Sequence, residues 1–334
     1  MHWIPRKVNK LNIKRKTESL TREAQSRIVY PIDWFTASKI DISKCLLING
    51  FWRSGTTWLQ EILSAATNSK TVFEPFAARA GYLYKAIPEI HPPQRERTFL
   101  DLLMPYQEHN FREGSHLKHI VRKALLGLLP HRHTRRTIRP ISYYSRDRVV
   151  VKFVRASLCL KAIYNDFPCP IIHLYRDPRA VISSIKRKPG WGDGAFDKLS
   201  IAKQLLEIND GREKYFSKWK NEILELDKQN LTVRLAVYWT LTEKYMLDSF
   251  HNQHNRFYVV NYEDMICEGS DYLKKILEQM KIPFNDLALE EKWKIPSSTA
   301  YKRQNLKDID RLYSWKSAIN QLEQDAIMDI MKIF

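Results

Sequence analysis

Short apolar runs rich in β-branched residues alternate along this chain with segments whose apolar positions recur every three or four residues. That is the pattern of an α/β fold with a central, mainly parallel sheet flanked by helices. Cys45–Asn49 predicts a first strand, and Thr57–Ala66 a helix with Trp58, Ile62 and Leu63 at helical spacing. Thr71–Phe73 predicts a short strand that stops at Glu74-Pro75, where proline biases the chain out of regular structure. Val149–Val154 is apolar except for Lys152, Ser157–Asn165 predicts a helix, and Pro170–Tyr175 a further strand of the fully buried type. Arg176-Asp177-Pro178 then opens a helix from Arg179 to Lys186, with Pro178 suited to its first turn. Two longer helical segments, Asp197–Lys228 and Thr232–Phe250, precede a last strand at Phe257–Val260. Pro283–Ser317 is polar and irregular, and a closing helix runs from Asn320 to Ile333. Residues 1–41 lack a sustained pattern and predict a partly ordered basic arm. Residues 42–334 predict one domain with insertions around 76–145 and 188–255.

With 44% hydrophobic and 28% charged residues in a chain of 334, composition is that of an ordinary globular protein. No run of about 18–20 apolar residues occurs, so no membrane-spanning helix is expected. The basic N-terminus has no apolar stretch behind it, which argues against a secretory signal. Cys45, Cys159, Cys169 and Cys267 are far apart and without clustered histidines, which favours free thiols over a zinc site. The net charge of +18 implies an anionic partner without choosing among nucleic acid, membrane, acidic glycan and a polyanionic cofactor. Basic residues thicken at Arg6–Lys16 and again from Lys118 to Arg148.

The loop between the first strand and helix almost matches Gly-x4-Gly-Lys-[Ser/Thr], the phosphate-cradling sequence of nucleoside triphosphatases. Gly50, Gly55 and Thr57 fit, but Thr56 stands where the lysine belongs, and a cation appears inside the loop instead, at Arg53. Backbone N–H groups and a helix N-terminus still suit an anion. The loop is thus expected to hold a phosphate that does not belong to ATP or GTP. In the second informative segment, Arg176 leaves a strand end and Ser184 follows eight positions later in the next helix. Arginine and serine so placed can hold a second phosphate. The alternative is an Asp-Pro helix cap beside a surface arginine.

Taken together, Arg53-Ser54-Gly55-Thr56-Thr57-Trp58 and the Arg176–Ser184 pair resemble the sulfotransferases that use 3′-phosphoadenosine-5′-phosphosulfate (PAPS). The arginine at position 53, Phe-Glu-Pro at 73–75 and Val-Lys-Phe-Val-Arg-Ala at 151–156 look closer to the carbohydrate and tyrosylprotein branch than to the cytosolic phenol and steroid branch. The resemblance covers about residues 44–80 and 149–190, with a weaker echo at Asn261–Asp264 and Ser297–Lys316. It implies a P-loop-type three-layer sandwich and a metal-free sulfuryl transfer that releases adenosine 3′,5′-bisphosphate. In this reading the 5′-phosphosulfate sits on the loop (Arg53, Ser54, Gly55, Thr56, Thr57) and the 3′-phosphate on Arg176 and Ser184. Asp177, which could imitate a magnesium ligand, is expected to cap the following helix.

The acceptor hydroxyl needs a base. Glu74 ends the strand after the loop–helix, so it emerges on the loop's edge of a parallel sheet, and the resemblance gives a glutamate at this spacing that role. His91, His116, His119, His131, His133 and His173 are rivals. Lys152 interrupts an apolar strand; a buried lysine needs an anionic partner, and the resemblance brings it to the sulfonate. The alternative is an amine that reaches solvent. Arg155 and Lys188 are further 3′-phosphate candidates, and Tyr262, Ser297, Ser298 and Lys316 resemble donor-contacting positions. Trp58 is either core or adenine platform. The expected acceptor is a sugar hydroxyl on a glycan or glycolipid, with no nucleic-acid partner. The segment Ser115–Leu129 resembles a basic amphipathic helix, either resting on an anionic membrane or packing on the domain. A cytoplasmic enzyme is expected, with a lumenal catalytic domain lacking its anchor as the alternative. The competing functions are an ATP-using P-loop kinase and a non-enzymatic polyanion binder.

Overall fold

A computed structural model of the chain describes residues 10–83, 97–107, 111–136, 139–251, 255–300 and 312–334. Five strands, β1 (Leu46–Asn49), β2 (Lys70–Phe73), β3 (Val149–Lys152), β4 (Ile171–Tyr175) and β5 (Phe257–Asn261), form one parallel sheet in the order β2-β3-β1-β4-β5. The near-continuous apolar runs follow from burial on both faces. Leu47, Val149, Val151 and Ile171 pack into one helical layer, whereas Leu46, Ile48, Val150, Ile172 and Leu174 pack into the other. The α/β class and the parallel sheet inferred from sequence are observed. In register, Ile48 and Phe73 both pair with Lys152, and Asn49 pairs with His173, so the carboxyl ends of the central strands finish level. The chain passes from β1 to β2 and β3 on one side of it and then crosses to β4 and β5 on the other, and ligands bind outside the carboxyl ends at such a reversal.

Helix α1 (Lys10–Ala37) and helix α2 (Thr56–Ala66) flank the sheet. The first of these is a continuous helix within the segment expected to be a partly ordered basic arm. A sequence with few apolar residues forms a helix there because one polar side of it is engaged: Asp33 is buried against Lys70 at 3.2 Å and against Arg135. Lys70 also donates to the Thr36 hydroxyl at 3.1 Å. A short helix, Ile141–Tyr144, lies against α1 and turns Tyr143 towards β2, whose Thr71 N–H donates to the Tyr143 hydroxyl at 2.6 Å. The next outward-facing amide of β2, Phe73 N–H, donates to the Thr134 carbonyl at 3.0 Å.

Two further expectations are revised, and the amphipathic segment takes the second of its two readings, packing on the domain. The segment Asp197–Lys228 is a chain of short helices interrupted at Gly211, whose φ of 98° no helix interior allows. The stretch read as irregular, Pro283–Ser317, contains a helix at Asp286–Trp293, started by the Asn285 side chain accepting from Ala288 N–H at 2.8 Å. The helix His116–Leu125 buries Leu117, Ile120, Val121, Ala124 and Leu125 in the core, so no apolar face of it remains for a bilayer. Among the described residues no helix is long and apolar enough to cross a membrane.

Removing the Asp33 carboxylate would leave Lys70 and Arg135 buried without it. Asp33→Ala is therefore expected to cost about 3–5 kcal/mol, read as a lower urea midpoint with unchanged slope.

Candidate active site

The loop after β1 is shaped by two glycines. A Cβ on Gly50 would stand 2.7 Å from the Leu174 carbonyl, and one on Gly55, at φ +97°, would stand 2.8 Å from the Tyr262 ring. Arg53 also lies in the left-handed region, at φ 67°. This turn brings the chain into α2, whose first turn lines a cavity of about 590 Å3; a helix N-terminus so placed suits an anion. The cavity lies outside the carboxyl ends of β1, β2, β3 and β4.

Arg53 Nε donates to Ser184 Oγ at 3.0 Å, and Arg176 Nη1 donates to the Arg53 carbonyl at 3.0 Å. The two sequence motifs therefore meet in space. The Arg176 guanidinium also stacks 4.1 Å from the centre of the Tyr262 ring. Burial, then the neighbouring Arg176 and Arg187, pull Arg53 down to about 10. Cations crowded in this way raise the free energy of the empty site, and an anion relieves the repulsion. The Arg176 Nε and Ser54 Oγ atoms are buried with no hydrogen-bond partner among the described residues.

Glu74 follows β2 at φ 47° and is buried. Its Oε1 is 2.6 Å from Lys152 Nζ, and its Oε2 accepts from Arg155 Nη1 at 2.8 Å. Lys152 in turn donates to Thr57 Oγ1 at 3.1 Å and sits 3.8 Å over the Phe73 ring. One amine thus bridges the phosphate-type loop and the carboxylate. Burial raises the Glu74 carboxyl, but Lys152 and Arg155 more than offset this and hold it below the usual carboxylate range. Burial lowers Lys152 to about 8 despite the opposing pull of Glu74. The lysine that sequence left between solvent and site is in the site. Arg155, offered as a 3′-phosphate ligand, is instead committed to Glu74 and to the Asp101 carbonyl at 2.7 Å.

The cavity is lined by Arg53, Gly55, Thr56, Thr57, Trp58, Glu74, Lys152, Arg176, Lys188, Tyr262 and Ser297 from the sequence-derived set. Four members of that set are not among the lining residues: Ser54 is buried within the loop and Ser184 lies behind Arg53, while Ser298 and Lys316 lie elsewhere. Ser298 is drawn outward to the Glu61 carboxylate, and Lys316 is exposed beside the Tyr313 ring. Trp58 lines the wall and is fixed by donating to the Ile295 carbonyl at 3.1 Å and packing on Trp293. Asp177 caps its helix, accepting from Arg179 N–H at 2.8 Å, and pairs with the Arg179 side chain.

Of the rival histidines, His133 lines the cavity, and burial lowers it to about 4, so it is neutral. His116 and His119 are exposed on their helix, His131 is not among the lining residues, and His91 lies outside the described residues. His173 is buried beneath the loop. Its Nδ1 is 2.9 Å from Asn49 Nδ2 and its Nε2 is 2.7 Å from Glu243. An amide nitrogen only donates, so Nδ1 accepts and Nε2 carries the ring proton towards Glu243.

Sequence reasoning missed Trp52, Arg79, Arg136, Trp191 and Phe196, which also line the cavity. Trp52 adjoined the loop motif and so carried a signal; the others lie in irregular insertions with none. Among the described residues no cluster of three or more His, Cys, Asp or Glu side chains offers a metal site.

The sulfotransferase domain family matches residues 43–317 of the chain. Similar solved structures include the sulfotransferase domain from the curacin biosynthetic pathway, at 15% identity over 86% of this chain and 96% of that one, with a TM-score of 0.47. Another is the sulfotransferase domain from the Synechococcus PCC 7002 olefin synthase, at 15% identity over 87% and 94%, TM-score 0.42. A sulfotransferase from Mycobacterium avium aligns at 14% identity over 96% and 84%, TM-score 0.41. No curated protein sequence matches significantly.

Glu74→Ala strands two buried cations and is expected to cost about 3–5 kcal/mol. Glu74→Gln keeps an acceptor oxygen for one of them and should cost less. Denaturant unfolding of the two variants side by side measures the difference.

Proposed function

The chain belongs to the sulfotransferase domain family, and from that premise we propose that its donor is PAPS and its acceptor a sugar hydroxyl of a glycan or glycolipid. The observation that carries the reading is the junction of Arg53, Arg176 and Ser184 on one side of Lys152 with Glu74 on the other. The unpartnered Arg176 Nε and Ser54 Oγ, together with the glycine-shaped loop, fit a doubly phosphorylated nucleotide. Arg176 and Ser184 would hold the 3′-phosphate, and the amides of Gly55, Thr56 and Thr57 the 5′-phosphate, with the Tyr262 ring alongside.

When bound, the donor supplies an activated sulfuryl group whose bridging oxygen gains charge as its bond to sulfur breaks. Lys152, Arg53 and the first turn of α2 line the cavity and would stabilise that charge. Glu74 accepts the hydroxyl proton. Clamped by Lys152 and Arg155 it is a weak base, and a Lys152 amine drawn to the donor would loosen one of the two clamps. The rings of Trp52, Trp191 and Phe196 suit the apolar faces of a sugar. A kinase reading is disfavoured because buried Thr56 replaces the loop lysine and Asp177 is occupied by Arg179. The buried free thiols of Cys45, Cys159 and Cys169 are consistent with a reducing cytoplasm.

Calorimetry with adenosine 3′,5′-bisphosphate should show binding that weakens about 10–100-fold in Arg176→Ala and less in Ser184→Ala. Absence of binding by the intact protein would overturn the donor assignment. Glu74→Gln should retain that binding while losing transfer from labelled PAPS, assayed across a panel of glycans. The free enzyme needs Lys152 protonated, so kcat/KM should fall as pH rises through about 8. In Lys152→Arg that alkaline limb should move to higher pH.

A further inference from the structure

Helix α1 has two opposite faces. Val29, Asp33 and Thr36 are buried against the domain. On the other side Leu20, Ile28, Trp34 and Phe35 are 59%, 68%, 69% and 65% exposed. At helical spacing these four fall within an arc of roughly 120°, centred opposite the buried set. Between Leu20 and Phe35 the same arc holds Arg27, Ala24 and Pro31 and no acidic residue. Large exposed side chains gathered on one element are uncommon on a free surface and mark a contact.

The surroundings of this face are cationic. Lys39 places its amine 5.3 Å over the Phe35 ring. Arg27, itself exposed, stands within the arc. The sequence of α1 also holds Lys10, Lys14, Arg15, Lys16 and Arg22 against Glu18 and Glu23, an excess of positive charge within a chain of net charge +18. A tryptophan and a phenylalanine beside lysines and arginines are complementary to a negatively charged lipid headgroup layer over an apolar interior. A second copy of this chain would bring the same positive charge to the contact and be repelled.

The geometry points to α1 as a peripheral docking face for an anionic phospholipid bilayer. Trp34, Phe35 and Ile28 enter the headgroup boundary, and the basic side chains stay at its surface. This assignment is independent of the chemistry in the cavity. It moves the membrane contact from His116–Leu125, whose apolar side is buried, to a helix whose apolar side is free.

The test is co-sedimentation of the full chain with vesicles of phosphatidylcholine alone and with about 30% phosphatidylserine. Partitioning should be at least about tenfold stronger with phosphatidylserine, and should fall as salt is raised. Trp34→Ala/Phe35→Ala should lose about tenfold or more of it, with adenosine 3′,5′-bisphosphate binding and circular dichroism as controls for folding. A blue shift of tryptophan emission on vesicle addition should shrink in Trp34→Phe. The assignment is overturned by no partitioning of the intact chain, by equal partitioning to both vesicles, or by a double variant that partitions like the parent. It is equally overturned by light scattering that finds a dimer abolished in the double variant.

Discussion

A positive charge at the carboxyl end of a central strand has to be answered, and the answer organises the site. Lys152 closes β3 with its stem between Ile48 and Phe73 in register and its amine out of water. An isolated ammonium there would be too costly to keep charged. Glu74 answers it, and Arg155 prevents that carboxylate from being surrendered wholly to one partner. The arrangement asks for an unfavourable backbone in return. Glu74 and Arg53 are two of only four described non-glycine residues at positive φ, and both line the cavity. Conformational strain collected at a cavity is a common mark of a working site.

β2 shows how the same electrostatics reach beyond the cavity. This strand has four residues, begins with Lys70 and is followed at once by Glu74. The first is paired with Asp33 of α1 and the second with Lys152 and Arg155, so a short outer strand is pinned by ion pairs at both ends. The N-terminal helix and the candidate base are therefore mechanically continuous through one element, although they are far apart in chemistry.

Much of this was legible in the sequence where local rules suffice. Buried strands announce themselves as β-branched runs, and Gly50 and Gly55 mark a loop that admits no Cβ. The Arg176–Ser184 spacing spans a strand end and a helix start, so its meeting with Arg53 followed from the parallel sheet. What stayed hidden depends on tertiary choice. Arg155 could have faced a phosphate, and only the folded chain shows it on Glu74. α1 has too few apolar residues to declare itself, because its anchor is a buried carboxylate rather than an apolar stripe. Ser298 and Lys316 fell in a loosely patterned tail, where a shift of one residue turns a side chain from the cavity to solvent. Trp191, Arg79 and Arg136 came from insertions that carry no periodicity to read.

One small detail of β2 has a broader consequence. The amides of Thr71 and Phe73, which face away from β3, are already taken by the Tyr143 hydroxyl and the Thr134 carbonyl. An outer strand normally offers such groups to any extended chain that passes, which is how sheets grow from one molecule into the next. Here both donors are spoken for by the protein's own side chain and loop. The sheet is thereby closed to extension on this side, and assembly through strand addition at β2 would first have to displace Tyr143 and the segment around Thr134.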